Sequence, residues 1–187
     1  MKKEYLILIA IIIFASSYLL LHKENQNNYI LPKIEKIDTS KITGIIIKRE
    51  QETIKFIKKG DNWVLTDKEI PADKVSVQDM FDIFTTFQLT ALVSEKNDLQ
   101  RYELDENKGV HVKLLQNSNT VFELTIGKPA PSFNHTFVMI ANDKNIYHAS
   151  GSFRGDFNKP MDDFKKKEEP KDKSEDNSKE VKDKKEN

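Results

Sequence analysis

The chain opens with a long apolar run. Residues 5–21 (YLILIAIIIFASSYLLL) contain neither a charge nor a proline, and they follow the basic pair Lys2 and Lys3. A helix of this length covers about 25 Å at a rise of 1.5 Å per residue, close to the lower limit for a hydrocarbon core of about 30 Å. The pattern predicts a transmembrane signal-anchor over residues 5–21.

A cleaved signal peptide is the competing interpretation. Leu6–Phe14 would be its apolar core, and Ala15-Ser16-Ser17 would supply a small-residue cleavage site. The mature chain would then start with residues 18–21 (YLLL), whereas a signal peptide normally ends its apolar run before the cut. We therefore expect the segment to be retained.

The lysines around the run bear on its orientation. Two lysines precede it and Lys23, Lys33 and Lys36 follow it, so the charge bias is nearly neutral. A short N-terminal tail that carries two lysines is typical of a signal-anchor. We expect residues 1–4 in the cytoplasm and the large C-terminal part outside it, at the inner or cell membrane.

Alternating strands follow a polar, Asn-rich spacer, which we place at residues 22–41. In ITGIIIKR the alternation puts Ile45 and Ile47 on one face, and in ETIKFIKK it puts Ile54 and Phe56 on one face. The polar residues between the two runs predict a β-hairpin.

One segment has a clear helical period. It follows a short strand, in which Trp63 and Leu65 share the predicted buried face, and it covers Val75–Leu89. Either Asp73 or Ser76 can cap its start. Its apolar stripe consists of Val77, Met80, Phe81, Phe84 and Phe87. A stripe of this kind usually covers a sheet, and we interpret it in that way.

The second half of the domain is also rich in strands. GVHVKLL and TVFELTI flank a polar turn at residues 116–119, and HTFVMIA and NIYHA flank another at residues 142–144. A short C-terminal helix is predicted as well, although Gly155 and Pro160 oppose it. Its apolar residues are Phe153, Phe157, Met161 and Phe164. The fold class predicted for residues 42–164 is α+β, with antiparallel hairpins and one main helix.

The last segment, residues 165–187, is almost entirely charged. Nine lysines stand against eight acidic residues, and Val181 is its one large apolar residue. Such a segment cannot bury enough apolar surface to offset the entropy of ordering. We predict a disordered tail.

Composition excludes several classes of function. The chain of 187 residues has 30 basic and 30 acidic residues, so it lacks the basic field of a nucleic-acid-binding protein. It contains no cysteine, which excludes disulfides, thiolate zinc sites and thiol nucleophiles.

Histidines are the first candidates for chemistry. His111, His135 and His148 lie in the predicted domain, and no two of them have the H-x-H or H-x-x-x-H spacing that places two imidazoles on one metal. Distant ligands can still converge in a fold. We interpret the three as solvent-facing strand residues and predict no metal and no cofactor.

Other catalytic patterns are incomplete. Residues 151–155 (GSFRG) lack the serine that a nucleophile elbow needs at its third position. Gly127-Lys128 lacks the upstream glycine and the following hydroxyl of a phosphate-binding loop. Surface helix positions explain the carboxylate pairs, which are Asp79 with Asp82 and Asp162 with Asp163. We predict no catalytic residue.

Short motifs also occur in a characteristic order. They are W-x-L at Trp63 and Leu65, P-A-D at residues 71–73, L-x-x-Y-x-L-D at Leu99, Tyr102, Leu104 and Asp105, and Ile126-Gly127 at a strand end. Together with the anchored start, this order over about residues 42–160 resembles the family called domain of unknown function 4340. The chain departs from that family at Glu103, where Tyr-Gly-Leu is typical. The resemblance transfers no catalytic residue.

The resemblance also implies a functional class, because members of this family include auxiliary subunits of bacterial ABC-transport and gliding-motility systems. We expect a membrane-tethered extracytoplasmic accessory module that is not an enzyme. Its expected partners are the lipid bilayer, through residues 5–21, and a protein of a membrane complex. We expect no nucleic acid and no small-molecule ligand. The alternative is an envelope ligand-binding protein or hydrolase whose site the sequence does not reveal.

Overall fold

The computed structural model divides the chain into two compact units, Met1–Pro32 and Lys33–Asn187. The residues it describes are 3–21, 30–50, 52–65, 69–132 and 134–167. The predicted spacer therefore falls partly outside the described residues, and so does most of the predicted tail.

The first unit contains helix α1, Lys3–Leu21. Its described large apolar side chains are exposed, from 46% at Ile9 to 76% at Phe14. Among the described residues, no helix is long and apolar enough to cross a membrane.

The predicted transmembrane helix is therefore wrong. The contiguous run of described side chains in α1, from Ile7 to Tyr18, is shorter than the run of apolar residues that a span needs.

The second unit is built on one antiparallel sheet. Its nine described strands are β1 Gly44–Arg49, β2 Glu52–Lys59, β3 Asn62–Leu65, β4 Ile70–Pro71, β5 Leu89–Ser94, β6 Val110–Gln116, β7 Asn119–Pro129, β8 His135–Ile140 and β9 Ile146–Ser150. They lie side by side in the order β4-β3-β2-β1-β6-β7-β8-β9-β5.

The predicted α+β class is wrong, because the described part of the second unit is mostly one antiparallel sheet. The hairpins β1–β2, β6–β7 and β8–β9 are present, but their edges pair with one another and form one continuous sheet with few helices. Ile47 in β1, for example, lies opposite Ile54 of β2 and also opposite Val112 of β6. Unpaired strand edges expose backbone hydrogen-bonding groups, so joining the hairpins satisfies them.

Helix α2, Lys74–Thr86, covers one face of the sheet. The Asp73 side chain caps it by accepting a hydrogen bond from the Ser76 N–H at 2.8 Å. Four residues of the predicted stripe are buried, namely Val77, Met80, Phe81 and Phe84. The predicted helix end at Leu89 is wrong, because Phe87 already has an extended ψ of 124° and Leu89 begins β5.

Aromatic rings complete the core under α2. Phe84 meets Phe157 edge to face at 5.5 Å, and Phe56 meets Phe164 in the same way at 5.3 Å. Phe157 ends a short helix, Arg154–Phe157, and Phe164 ends a 3-10 turn, Met161–Phe164. The predicted C-terminal helix is thus two separate turns. Pro160 lies between them, where its missing N–H and its ring oppose a continuous helix.

The opposite face of the sheet is only partly covered. The short helix α3, Leu99–Tyr102, packs over β8 and β9, where a small buried cluster forms. The members of that cluster are Leu104, Ala130, Phe137 and Ile146. Farther along the same face Lys48, Lys55 and Ile57 are exposed, which leaves an open surface on β1 and β2.

The described start of the predicted tail contacts the sheet. Lys165 forms an isolated bridge with Ala72, and the Lys166 N–H donates to the Pro71 carbonyl at 2.9 Å. These two bonds extend the ordered chain past residue 164.

Candidate functional site

His111 lies in the middle of the sheet. It belongs to β6, is half-buried, and its Nδ1 is 3.0 Å from Oγ1 of Thr125 on β7. Burial, followed by the nearby charge of Lys48, lowers the pKa of this imidazole. The contact between His111 and Thr125 links β6 to β7 within the sheet.

His135 and His148 come together on neighbouring strands. Their ring centroids are 5.5 Å apart, and the His148 ring is also 4.8 Å from the ring of Phe137. The His135 Nδ1 lies 2.9 Å from Oγ of Ser132, whereas the Nε2 of His148 is buried without a hydrogen-bond partner. Burial and then the charge of His135 lower the pKa of His148.

The pair of His135 and His148 was not predicted from the sequence. The signal was the register of the β8–β9 hairpin, in which His135 lies opposite Ser150 and Phe137 opposite His148. That register puts the two imidazoles on the same face as diagonal neighbours. No group of three or more metal-ligating side chains occurs among the described residues, so the pair has no third protein ligand there.

A polar cleft of about 510 Å³ lies elsewhere on the second unit. Three segments form it: the β1–β2 turn, the loop before β6 and the short helix that starts at Arg154. Its lining residues are Arg49, Glu50, Glu52, Asn107, Lys108, Arg154 and Asn158. This cleft was not predicted from the sequence, because its lining residues are far apart along the chain.

Arg49 forms one wall of the cleft. Its side chain is 13% exposed, and its Nε and Nη2 donate to the same Glu52 oxygen at 3.1 and 2.9 Å. Its Nη1 has a long contact of 3.5 Å with the amide oxygen of Asn158. Glu52 therefore holds the guanidinium in place, while the Nη1 nitrogen has only a weak hydrogen bond to Asn158.

Arg154 also lines the cleft. Its side chain is 17% exposed, and its Nη2 donates to the Lys108 carbonyl at 2.7 Å. Its Nη1 is buried without a hydrogen bond, although Glu103 Oε2 lies 3.4 Å away as an ion-pair partner. Two fixed guanidinium groups in one cleft are suited to holding an anion.

The remaining candidates have structural roles. Asp162 forms an ion pair with Lys165, and Asp82 accepts a hydrogen bond from the amide of Gln78 at 2.8 Å. Gly127 in β7 lies against the turn after α3, where an added Cβ would be 2.4 Å from the Tyr102 carbonyl oxygen. Glu103 in that turn has a left-handed φ of 56°.

The contact at Gly127 joins two of the short sequence motifs in space. Tyr102 and Leu104 belong to the motif L-x-x-Y-x-L-D, and both touch the position of Gly127. The left-handed φ at Glu103 explains why glycine is typical there in the family that the chain resembles.

Comparison with known proteins bears on this resemblance. A family model described as Domain of unknown function (DUF4340) matches residues 63–177. Searches of curated proteins and of solved structures gave no significant match. Since the family model matches more than half of the 187 residues, the chain belongs to the family described as Domain of unknown function (DUF4340).

Proposed function

We propose that this chain is a non-catalytic accessory module, tethered to a membrane on its extracytoplasmic side, that serves a larger envelope or transporter-type complex. The observation that carries the proposal is the apolar surface of α1, whose described large side chains are exposed. Exposed apolar surface on this scale marks contact with lipid or with a partner protein.

The apolar surface of α1 is large enough for a lipid tether. Fully burying one large aliphatic or aromatic side chain contributes about 1.5–3 kcal/mol, and side chains such as Ile7, Ile11 and Phe14 are each more than 60% exposed. These side chains alone can hold a helix at a lipid interface. The tether requires lipid contact, but it does not require α1 to cross the bilayer.

Family membership supports the second part of the proposal. The chain resembles a family whose members include auxiliary subunits of bacterial ABC-transport and gliding-motility systems. The extracytoplasmic side is supported by the order of the N-terminal residues, because a basic pair ahead of an apolar run is typical of a segment that directs export. Exposed lysines such as Lys48 on the open sheet face are accessible to amine-reactive crosslinkers that report a neighbouring subunit.

Flotation of the full chain with lipid vesicles tests the tether. Ile9 and Ile12 are both exposed in α1, so the double variant Ile9→Asp/Ile12→Asp removes apolar contact without disturbing a protein core. We expect its partition onto vesicles to fall at least about a hundredfold, because roughly 3–6 kcal/mol of apolar burial is lost.

The matched control is Ile9→Leu/Ile12→Leu, which keeps the apolar area and should float as the wild type does. Equal flotation of the aspartate variant, or a wild-type chain that stays in the soluble fraction, contradicts the tether.

A further inference from the structure

We propose that the cleft between Arg49 and Arg154 binds an oxyanion, meaning a phosphate or carboxylate group. The inference stands apart from membrane attachment, because the cleft lies within residues 49–158 of the second unit. The accessory role proposed above does not require this cleft to bind a ligand.

The guanidinium groups are preorganised. Each arginine is more than four-fifths buried and is fixed by a short bond, to Glu52 for Arg49 and to the Lys108 carbonyl for Arg154. A fixed arginine loses little side-chain entropy when a ligand binds, and its planar donors match the oxygens of a phosphate or a carboxylate.

The same groups have unused donors. A guanidinium carries five N–H donors, and the Arg154 Nη1 is buried without a hydrogen bond. Buried donors are almost always hydrogen-bonded, whereas this one has only the Glu103 carboxylate at 3.4 Å, in an ion pair without a hydrogen bond, so it is open to an oxygen in better geometry. A ligand oxygen that bonds to Nη1 would compete with the Glu103 carboxylate, whose side chain is 35% exposed.

Charge and size agree with a small polar anion. Three cationic and two acidic side chains line the cleft. Arg49 is paired with Glu52 and Arg154 with Glu103, so an anion would share both guanidinium groups with a carboxylate. Asn107 and Asn158 add neutral amide groups. A volume of about 510 Å³ is in the range of ligand sites, while the polar lining disfavours an apolar ligand.

Calorimetric titration of the full chain in detergent micelles, at constant ionic strength, tests the site. The probes are inorganic phosphate and succinate, in separate experiments. We expect saturable binding of at least one probe. Saturation by phosphate alone identifies a phosphate ligand, and saturation by succinate alone identifies a carboxylate ligand.

Substitutions then locate the binding. Arg154→Gln should weaken it about tenfold or more, since it removes charged hydrogen bonds. Glu103→Gln should strengthen it, because the competing carboxylate is gone. The control is Arg101→Gln, which alters an exposed arginine over the Tyr102 ring and should leave the affinity unchanged.

Lys108→Gln changes an exposed side chain and covers the case in which Arg154→Gln fails to fold. It should also weaken binding, by removing one of the three cations. Absence of saturable binding for both probes overturns the proposal. So does an Arg101→Gln variant that loses as much affinity as the cleft variants.

Discussion

Gly127→Ala tests the contact between β7 and the turn after α3. An ideal Cβ at residue 127 lies 2.4 Å from the Tyr102 carbonyl oxygen and 3.0 Å from two Leu104 side-chain carbons. A close carbon–oxygen contact is about 3.3 Å, so the new methyl group overlaps the oxygen by roughly 0.9 Å. Because the obstructing atom is backbone, it cannot rotate away as a side chain would.

The cost follows from the need to shift that backbone. Overpacking typically destabilises a protein by about 1–3 kcal/mol, and an obstruction by backbone falls at the upper end, about 3 kcal/mol. For a chain of this size that loss lowers Tm by about 6–12 °C. Leu104 is 1% exposed, so its side chain has little room to yield.

Urea unfolding followed by tryptophan fluorescence measures the loss. Trp63 is the single tryptophan, and its ring lies 5.5 Å from Phe81 in the packed unit, so its emission reports unfolding. The matched control is Gly155→Ala, because an added Cβ at Gly155 meets no atom within 4 Å. A Gly127→Ala variant within about 0.5 kcal/mol of the wild type, the range of neutral surface changes, refutes the contact.

Three further predictions concern stability. Glu103→Gly should be about 1 kcal/mol more stable than Glu103→Ala in urea unfolding, because both variants lose the ion pair to Arg154 and only glycine relieves the left-handed φ; equal stability would contradict that strain. Phe157→Ala should cost about 3–5 kcal/mol in urea unfolding, because its ring is fully buried, and a loss below 1 kcal/mol would contradict that packing. Burial lowers the pKa of both His111 and His148, so the unfolded chain binds more protons, and stability should fall as the pH drops below the ordinary pKa of 6.5. As the pH is lowered below 6.5, the urea midpoint should fall less steeply for His148→Gln than for the wild type. An equal slope would contradict the lowered pKa of the buried His148 imidazole.

Local patterns predicted single strands and the main helix, although the predicted fold class was wrong. Alternation put Ile45 and Ile47 on one face of β1, and Ile54 and Phe56 on one face of β2, and all four are buried. The helical period identified the side of α2 that carries Met80 and Phe84. These predictions succeeded because a period of 2 or 3.6 residues is a property of the sequence itself.

Long-range pairing could not be predicted in the same way. The sequence of β5 gives no sign that it pairs with β9, more than fifty residues farther along the chain. The apolar spacing of α2 also continues through Phe87 to Leu89, although the backbone has already left the helix. Tertiary contacts determine both the pairing of β5 with β9 and the residue at which α2 ends.

The candidate site was less predictable still. The two arginines that line the cleft are 105 positions apart, Arg49 and Arg154, and no spacing rule connects them. The His135–His148 pair is easier to anticipate from the sequence, because the turn between β8 and β9 limits the register of that hairpin. Motifs detect sites that are local in sequence, whereas this cleft is assembled by the sheet.

Crosslinking in native membranes tests the central claim, that the chain is a tethered module that works by binding a protein partner. An amine-reactive crosslinker added to intact membranes, followed by purification of the full chain and mass spectrometry, should recover integral or ATPase subunits of one transporter-like complex. The crosslinks should include exposed lysines such as Lys48 on the open sheet face. Recovery of the chain as an uncrosslinked species outside the membrane fraction would contradict the account.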